Sequence, residues 1–157
     1  MADETRPARG RRAPRDRLAV DVSLLILRLA GGIIFMPHGS QKLFGAFGGT
    51  GLEATMAPDG PGGGGIIGLL VAIGEFFGAV GLLVGILSRF SAAAIIVIML
   101  GAVALVHGKN GLFMSNGGFE YNLALIGLLA PILIAGPGRF SLARMIPLPG
   151  RPISPLE

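Results

Sequence analysis

The sequence predicts an all-α membrane protein, a polytopic four-helix bundle with both termini in the cytoplasm. Three observations support this class. Apolar residues make up 52% of the 157-residue chain and charged residues only 14%, and the mean hydropathy is +0.72. A soluble domain carries roughly a quarter charged residues, so lipid is the expected solvent. The apolar residues also fall into four long runs, and the positive charges gather on one side of them.

The four runs define the expected helices. The first contains 19 residues, which is enough to cross a bilayer core. The runs cover residues 18–36, 66–87, 90–106 and 119–135. They divide the chain into three parts: a disordered basic cytoplasmic tail (1–17), a four-helix domain (18–143) and a proline-rich C-terminal tail (144–157).

Glycine marks both the connections and the contacts between the runs. Residues 45–65 are rich in glycine and contain Pro58 and Pro61, so we expect an external loop there rather than a helix. Four glycines within the second run recur at spacings of four, three and four residues and therefore share one helix face. Such a stripe allows a neighbouring helix to approach closely. Its members are Gly74, Gly78, Gly81 and Gly85.

The distribution of charge predicts the orientation in the membrane. Four crossings place both termini on one side, where ten arginines lie, whereas the other side carries only Lys42 and Lys109. Positive residues accumulate on the cytoplasmic side, so the termini are expected there, in a multi-pass protein of the cell membrane. A basic tail beside an apolar helix fixes this orientation and does not predict nucleic-acid binding.

A short segment at the end of the first run recurs at the end of the third. Residues 38–45 match residues 107–114 at four of eight positions, and the two segments contain the only histidines of the chain, His38 and His107. We expect the two segments to form one polar rim on the outer side of the membrane. The other polar residues of this rim would be Gln41, Lys42, Lys109, Asn110, Glu120 and Tyr121.

The rim suggests proton transfer. A histidine that titrates near neutral pH beside carboxylates is suited to this chemistry, so His38, His107 and Glu120 are candidate catalytic residues. The alternative is that they only anchor helix ends among lipid head groups. Two histidines at one depth also offer a further alternative, in which both ligate a haem b. Haem b is not expected, because both lie at helix ends beside glycines, and too few ligands remain for a zinc or di-iron site.

Two charges lie inside the runs. Arg28 is about ten residues into the first run and Glu75 a similar distance into the second. Placing an ionisable group inside a membrane span is energetically unfavourable, so such a group is a candidate functional residue. We therefore expect an Arg28–Glu75 ion pair near the midplane. The pair would either line a polar cavity or only fix the helix register, and the sequence leaves both readings open.

Together these motifs resemble those of the DoxX family over about residues 20–143, and they follow one another along the chain in the same order as in that family. The matching residues are Arg28-Leu29, 38–45, Glu75 with its glycine stripe, Ser88-Arg89, His107, Asn110-Gly111-x-Phe113, Gly118-x-Glu120-Tyr121 and 136–142. The departures are Pro37 before the histidine, Ser88 in place of threonine and Ala143 where an acidic residue often stands.

The resemblance implies a four-helix integral membrane protein associated with quinone-linked oxidoreductases that feed electrons from thiosulfate into the quinone pool. Quinone is then the expected cofactor, and Arg28, Lys42, Glu75 and Tyr121 are its candidate binding residues. The chain has no cysteine for an iron–sulfur cluster, so electrons would come from a partner protein or a soluble donor. The alternatives are a small-solute transporter built from two related hairpins in a homo-oligomer, or a non-catalytic assembly subunit.

Overall fold

The computed structural model describes residues 14–145, and every regular element within them is helical. This confirms the all-α class. The helices are α1 (Pro14–Phe44), α2 (Gly51–Met56), α3 (Gly65–Val84), α4 (Ser88–Ala102), α5 (Glu120–Ala135) and α6 (Leu142–Met145). A π-helical segment, Val103–His107, continues α4, and 3-10 turns lie at Ala46–Gly48, Gly108–Asn110 and Met114–Asn116. Of the tails predicted at 1–17 and 144–157, residues 1–13 and 146–157 lie outside the described residues.

The first helix is longer than its apolar run. Residues 14–17, predicted to be disordered, belong to α1, and α1 continues through Pro37 to Phe44. Proline inside a helix removes one backbone hydrogen bond, but the helix continues on both sides of it. The apolar run ends at Met36, so two further turns of α1 carry the polar residues of the first repeated segment.

The segment between α1 and α3 is not entirely a loop. The prediction of a loop without helix over residues 45–65 is wrong for Gly51–Met56, which form α2. The buried Thr55 ties α2 to the end of α1, because its Oγ1 donates a hydrogen bond to the carbonyl of Lys42 at 3.0 Å. This segment therefore folds over one end of the bundle.

Glycine contacts set the spacing of the long helices. A Cβ built on Gly74 would lie 2.6 Å from Cδ1 of Ile98, and one on Gly78 would lie 3.0 Å from Cδ1 of Ile95. The predicted glycine stripe is thus confirmed as the face on which α4 packs. On the other side of α3, a Cβ on Gly39 of α1 would lie 2.4 Å from the backbone nitrogen of Phe76. Small residues bring three helices together at close range.

Three segments are long and apolar enough to cross a membrane: Arg15–Phe44, Gly65–Val84 and Ser88–Asn110. The fourth helix, α5, is apolar but has only 16 residues. At 1.5 Å per residue α5 is about 24 Å long, whereas the hydrocarbon core is about 30 Å thick. Buried irregular chain, including Gly136, Pro137 and Gly138, continues α5 toward one end of the bundle.

The antiparallel helices give the bundle two distinct ends. At one end, which we call the brace end, the start of α1 meets the chain that follows α5: the backbone N–H of Arg139 donates to Oδ1 of Asp21 at 3.0 Å. At the other, which we call the rim end, lie the end of α1, α2, the π segment and the start of α5. The core between them includes the fully buried side chains Leu82, Ile95, Leu129 and Ile132.

Candidate functional site

A cavity of about 580 Å³ lies toward the rim end between α1, α3, the π segment and α5. Its walls are mainly apolar and include Phe35, Leu70, Met99 and Leu125. Six of its lining residues carry polar side chains: His38, Lys42, Glu75, His107, Tyr121 and Asn122. The structure therefore brings five of the seven predicted site residues to one cavity, and Arg28 and Glu120 are the two that do not line it.

The principal charged group of the cavity is the Lys42–Glu75 ion pair. Nζ of Lys42 donates to Oε2 of Glu75, and the two side chains are 16% and 6% exposed. Lys42 lies near the end of α1, and Glu75 lies in the middle of α3. A buried carboxylate without a counter-charge would be strongly unfavourable, so Lys42 allows Glu75 to carry its charge on the cavity wall.

The predicted Arg28–Glu75 ion pair is wrong. Arg28 is 1% exposed, and its guanidinium donates four hydrogen bonds to backbone carbonyls at the brace end. Nε binds the carbonyl of Leu82 at 2.8 Å and Nη2 that of Leu83 at 3.2 Å. Nη1 binds the carbonyls of Pro137 at 3.0 Å and Phe140 at 2.9 Å.

The physical reason for these partners is that two helices end near Arg28. The last carbonyls of a helix have no partner within it, and Leu82 and Leu83 belong to the last turn of α3. Pro137 and Phe140 lie in the irregular chain after α5. Non-helical backbone is tolerated at membrane depth only where the protein satisfies its polar groups, and Arg28 supplies those donors. A cation also complements the negative end of the α3 dipole.

His107 lies in the π segment, and its hydrogen bond defines its tautomer. Its Nδ1 lies 2.8 Å from the carbonyl oxygen of Gly117. A carbonyl can only accept, so Nδ1 carries the proton and Nε2 of the neutral ring keeps its lone pair. π-helical turns arise from one extra residue in a helix and occur often at functional sites. His107 is therefore held in the orientation that a proton acceptor requires.

The two repeated segments end their helices in the same way. Nε2 of Gln41 donates to the carbonyl of Phe47 at 3.3 Å, and Nδ2 of Asn110 donates to the carbonyl of Gly117 at 3.2 Å. In each case the side-chain amide holds the chain that follows the helix. His38 is exposed and, like His107, lines the cavity. The two segments thus lie on one side of the bundle, as the repeat predicts.

Glu120 holds the loop that precedes it. Its Oε1 accepts a hydrogen bond of 2.7 Å from the backbone N–H of Met114, so the carboxylate anchors the residues between the π segment and α5. The next residue, Tyr121, lines the cavity. No group of three or more histidine, cysteine or acidic side chains among residues 14–145 could hold a metal ion.

Asn122 is a site residue that the sequence prediction missed. It is 7% exposed and lines the cavity from α5. Its Nδ2 donates to Sδ of Met99 at 3.5 Å, and a thioether is a weak acceptor. The signal in the sequence was an amide inside the fourth apolar run, but the prediction considered only ionisable residues there.

The fold and the cavity define a helical membrane protein with a mainly apolar cavity toward one end of its bundle. Residues 23–108, just over half of the chain, match the model of the DoxX family. The chain therefore belongs to the DoxX family, which confirms the resemblance, and is an integral membrane protein. The matched segment includes both histidines and the Lys42–Glu75 pair but ends before α5. No curated protein and no solved structure matched the chain.

Proposed function

We propose that this protein is the membrane subunit of a quinone-linked oxidoreductase system and binds a quinone head group in the cavity. The observation that supports the proposal is a buried ion pair, Lys42–Glu75, on the wall of an otherwise mainly apolar cavity. The cavity volume of about 580 Å³ falls within the roughly 300–1,000 Å³ typical of small-molecule sites.

The chemistry of the lining residues fits a quinone. A quinone combines an apolar ring and tail with two carbonyl oxygens that accept hydrogen bonds. The ammonium group of Lys42 has three donors, of which Glu75 uses one. Exposed apolar side chains, including Leu70, Val97 and Leu105, line the same cavity and would contact the tail.

In this proposal the polar residues move protons between the cavity and the outer surface. The bound quinone would supply two-electron, two-proton redox chemistry. Reduction of the head group by the partner's electrons consumes two protons. Nε2 of His107 takes up protons nearer the surface, and the carboxyl group of Glu75 passes them on to the cavity. His38 and Tyr121 add polar groups to the same wall. Arg28 stabilises the fold and takes no part in binding.

We further propose that the chain crosses the bilayer four times, with both termini in the cytoplasm. In this orientation the described arginines at the helix ends lie on the inner side, and Lys42 and Lys109 lie on the outer side, which agrees with the positive-inside pattern. The cavity would then face the outer side. Because the chain has no cysteine, electrons would come from a partner protein or a soluble donor at the rim end.

Quinone binding by the protein in lipid nanodiscs tests the proposal. A short-chain ubiquinone is titrated into the wild type, Glu75→Gln and His107→Ala. Glu75→Gln removes the charge that orients Lys42, so we expect at least about tenfold weaker binding, as loss of a charged hydrogen bond predicts. His107→Ala should leave affinity within a few fold but slow quinone-dependent proton uptake. Lys109→Met, which removes a rim lysine outside the cavity, is the control.

The outcomes separate the alternatives. Wild-type affinity and wild-type proton uptake in correctly folded Glu75→Gln and His107→Ala would refute the quinone site. Uptake of an organic solute into protein-loaded liposomes, without any redox couple, would instead support a transporter.

A further inference from the structure

Asn122 is a buried amide whose hydrogen-bonding capacity is largely unused. Within residues 14–145 its only hydrogen bond is the 3.5 Å contact from Nδ2 to Sδ of Met99, which leaves the second N–H of Nδ2 without an acceptor. An amide side chain offers two donors and two acceptor positions. Asn122 is 7% exposed and lines the cavity, so a molecule in the cavity can supply the missing partner.

The packing against α4 places Asn122 and Glu75 at similar depths in the bundle. Gly74, next to Glu75, packs against Ile98 of α4, and Asn122 contacts Met99 of α4. These two positions on α4 are one residue apart, which is about 1.5 Å along the helix axis. Glu75 and the amide of Asn122 therefore lie within about one helical turn of the same level of the cavity.

The order of the helices places the two groups on opposite sides. Both α3 and α5 pack against α1 and α4, so α3 and α5 lie on a diagonal of the four-helix bundle. Glu75 lies on α3 and Asn122 on α5, and both line the same cavity. A ligand between them would meet a polar group at each side and apolar side chains elsewhere.

We propose that Asn122 is the second hydrogen-bonding anchor of the site, opposite the Lys42–Glu75 pair. This inference rests on the proposed function and specifies the ligand as a head group with acceptor oxygens on two opposite sides, as in a para-quinone. Lys42 donates to one carbonyl oxygen, and Nδ2 of Asn122 donates to the other. A ligand with one polar end, such as a fatty acid, would leave Asn122 without a partner.

The experiment uses the full chain in lipid nanodiscs and a short-chain ubiquinone labelled with ¹³C at one ring carbonyl or at the other. Affinity and the infrared carbonyl stretches are measured for the wild type, Asn122→Leu and Asn116→Leu. Leucine fits the apolar surroundings of Asn122, and Asn122→Ala serves as a second variant should the first not fold. Asn116 is exposed and lies outside the cavity wall, so its variant is the matched control.

We expect about tenfold weaker binding for Asn122→Leu, as loss of one hydrogen bond predicts, and a shift of only one carbonyl band to higher frequency. Lys42→Met should shift the other band. Asn116→Leu should change neither. The inference is overturned if Asn122→Leu and Asn122→Ala bind with wild-type affinity and leave both bands unchanged. Failure of the proposed function is distinguishable, because the wild type itself would then not bind ubiquinone.

Discussion

At the scale of single residues, the two buried charges have different roles. Arg28 donates only to backbone carbonyls, whereas Glu75 pairs with Lys42 on the wall of the cavity. The four carbonyls that bind Arg28 come from the end of α3 and from the chain after α5. One side chain therefore fastens three parts of the chain at the brace end, and the second charge is available for chemistry at the rim end.

Replacing Arg28 should affect stability without changing the site. Arg28→Met leaves two buried and two partly buried carbonyls without donors, so we expect a loss of roughly 3–5 kcal/mol in the free energy of unfolding. The midpoint of thermal unfolding in detergent measures this loss. Glu75→Gln is the comparison, and the effects of the two substitutions should add to within about 0.5 kcal/mol, because the residues share no partner. A larger coupling energy would contradict the separation of the two groups.

Removing one partner of the Lys42–Glu75 pair should lower the free energy of unfolding more than removing both partners. Lys42→Met leaves an unpaired buried carboxylate, so we expect a loss of about 3–5 kcal/mol in stability. The double variant Lys42→Met, Glu75→Leu removes both charges and should recover most of that loss. Thermal unfolding in detergent measures stability, and ubiquinone titration measures function. Only the single variant should be unstable, but both variants should bind quinone at least about tenfold more weakly than the wild type. Equal stability of the single and double variants would argue against a buried pair.

At the scale of the helices, close backbone approach positions the ion pair. Gly39 lies one turn before Lys42 on α1 and packs on the backbone of Phe76, the residue after Glu75. Gly32 lies two turns earlier and packs against Leu83 and Ala79. The two glycines fix how α1 lies along α3, and so determine that Lys42 reaches Glu75.

Gly39→Ala should therefore be a severe change. Its new Cβ would lie 2.4 Å from the nitrogen and 2.6 Å from the Cα of Phe76, and backbone atoms cannot move aside cheaply. We expect a loss of roughly 2–3 kcal/mol in stability, as for overpacking of a core. Gly127→Ala on α5, where nothing lies within 4 Å, is the matched control and should gain up to about 1 kcal/mol. Equal melting temperatures for the two variants would show that α1 and α3 are not held this closely.

The sequence predicted the elements better than their register. Glycine spacing gave the face of α3 that meets α4, and the repeated segment gave the shared location of His38 and His107. The error concerned where α1 ends. The prediction assumed that the helix ends where the apolar run ends. This placed Arg28 at the same depth in the membrane as Glu75. Polar residues continue α1 to Phe44, so Lys42 takes that place. The carbonyl partners of Arg28 depend on where α3 and α5 end, and hydrophobicity does not indicate this.

At the scale of the whole molecule, the contacts that fasten the fold and the cavity of the proposed site lie at opposite ends of the bundle. The brace end contains Arg28 and its carbonyls, and the backbone of Arg139 bound to Asp21. The rim end contains the cavity, the π segment and loops anchored by Gln41 and Glu120. The fold is thus fastened at one end, and the other end is open to a ligand. In the proposed orientation, the open end faces away from the cytoplasm.

This orientation can be tested residue by residue, because the chain has no cysteine. Single cysteines are introduced at exposed positions of the rim end, Thr50 and Ser115, and at Arg144 near the other end. With both termini cytoplasmic, a membrane-impermeant maleimide should label Thr50→Cys and Ser115→Cys in intact cells. Arg144→Cys should react only after the membrane is permeabilised. The reverse pattern would place the cavity on the cytoplasmic side. Labelling of all three sites in intact cells would show that the two ends do not lie on opposite sides of the membrane.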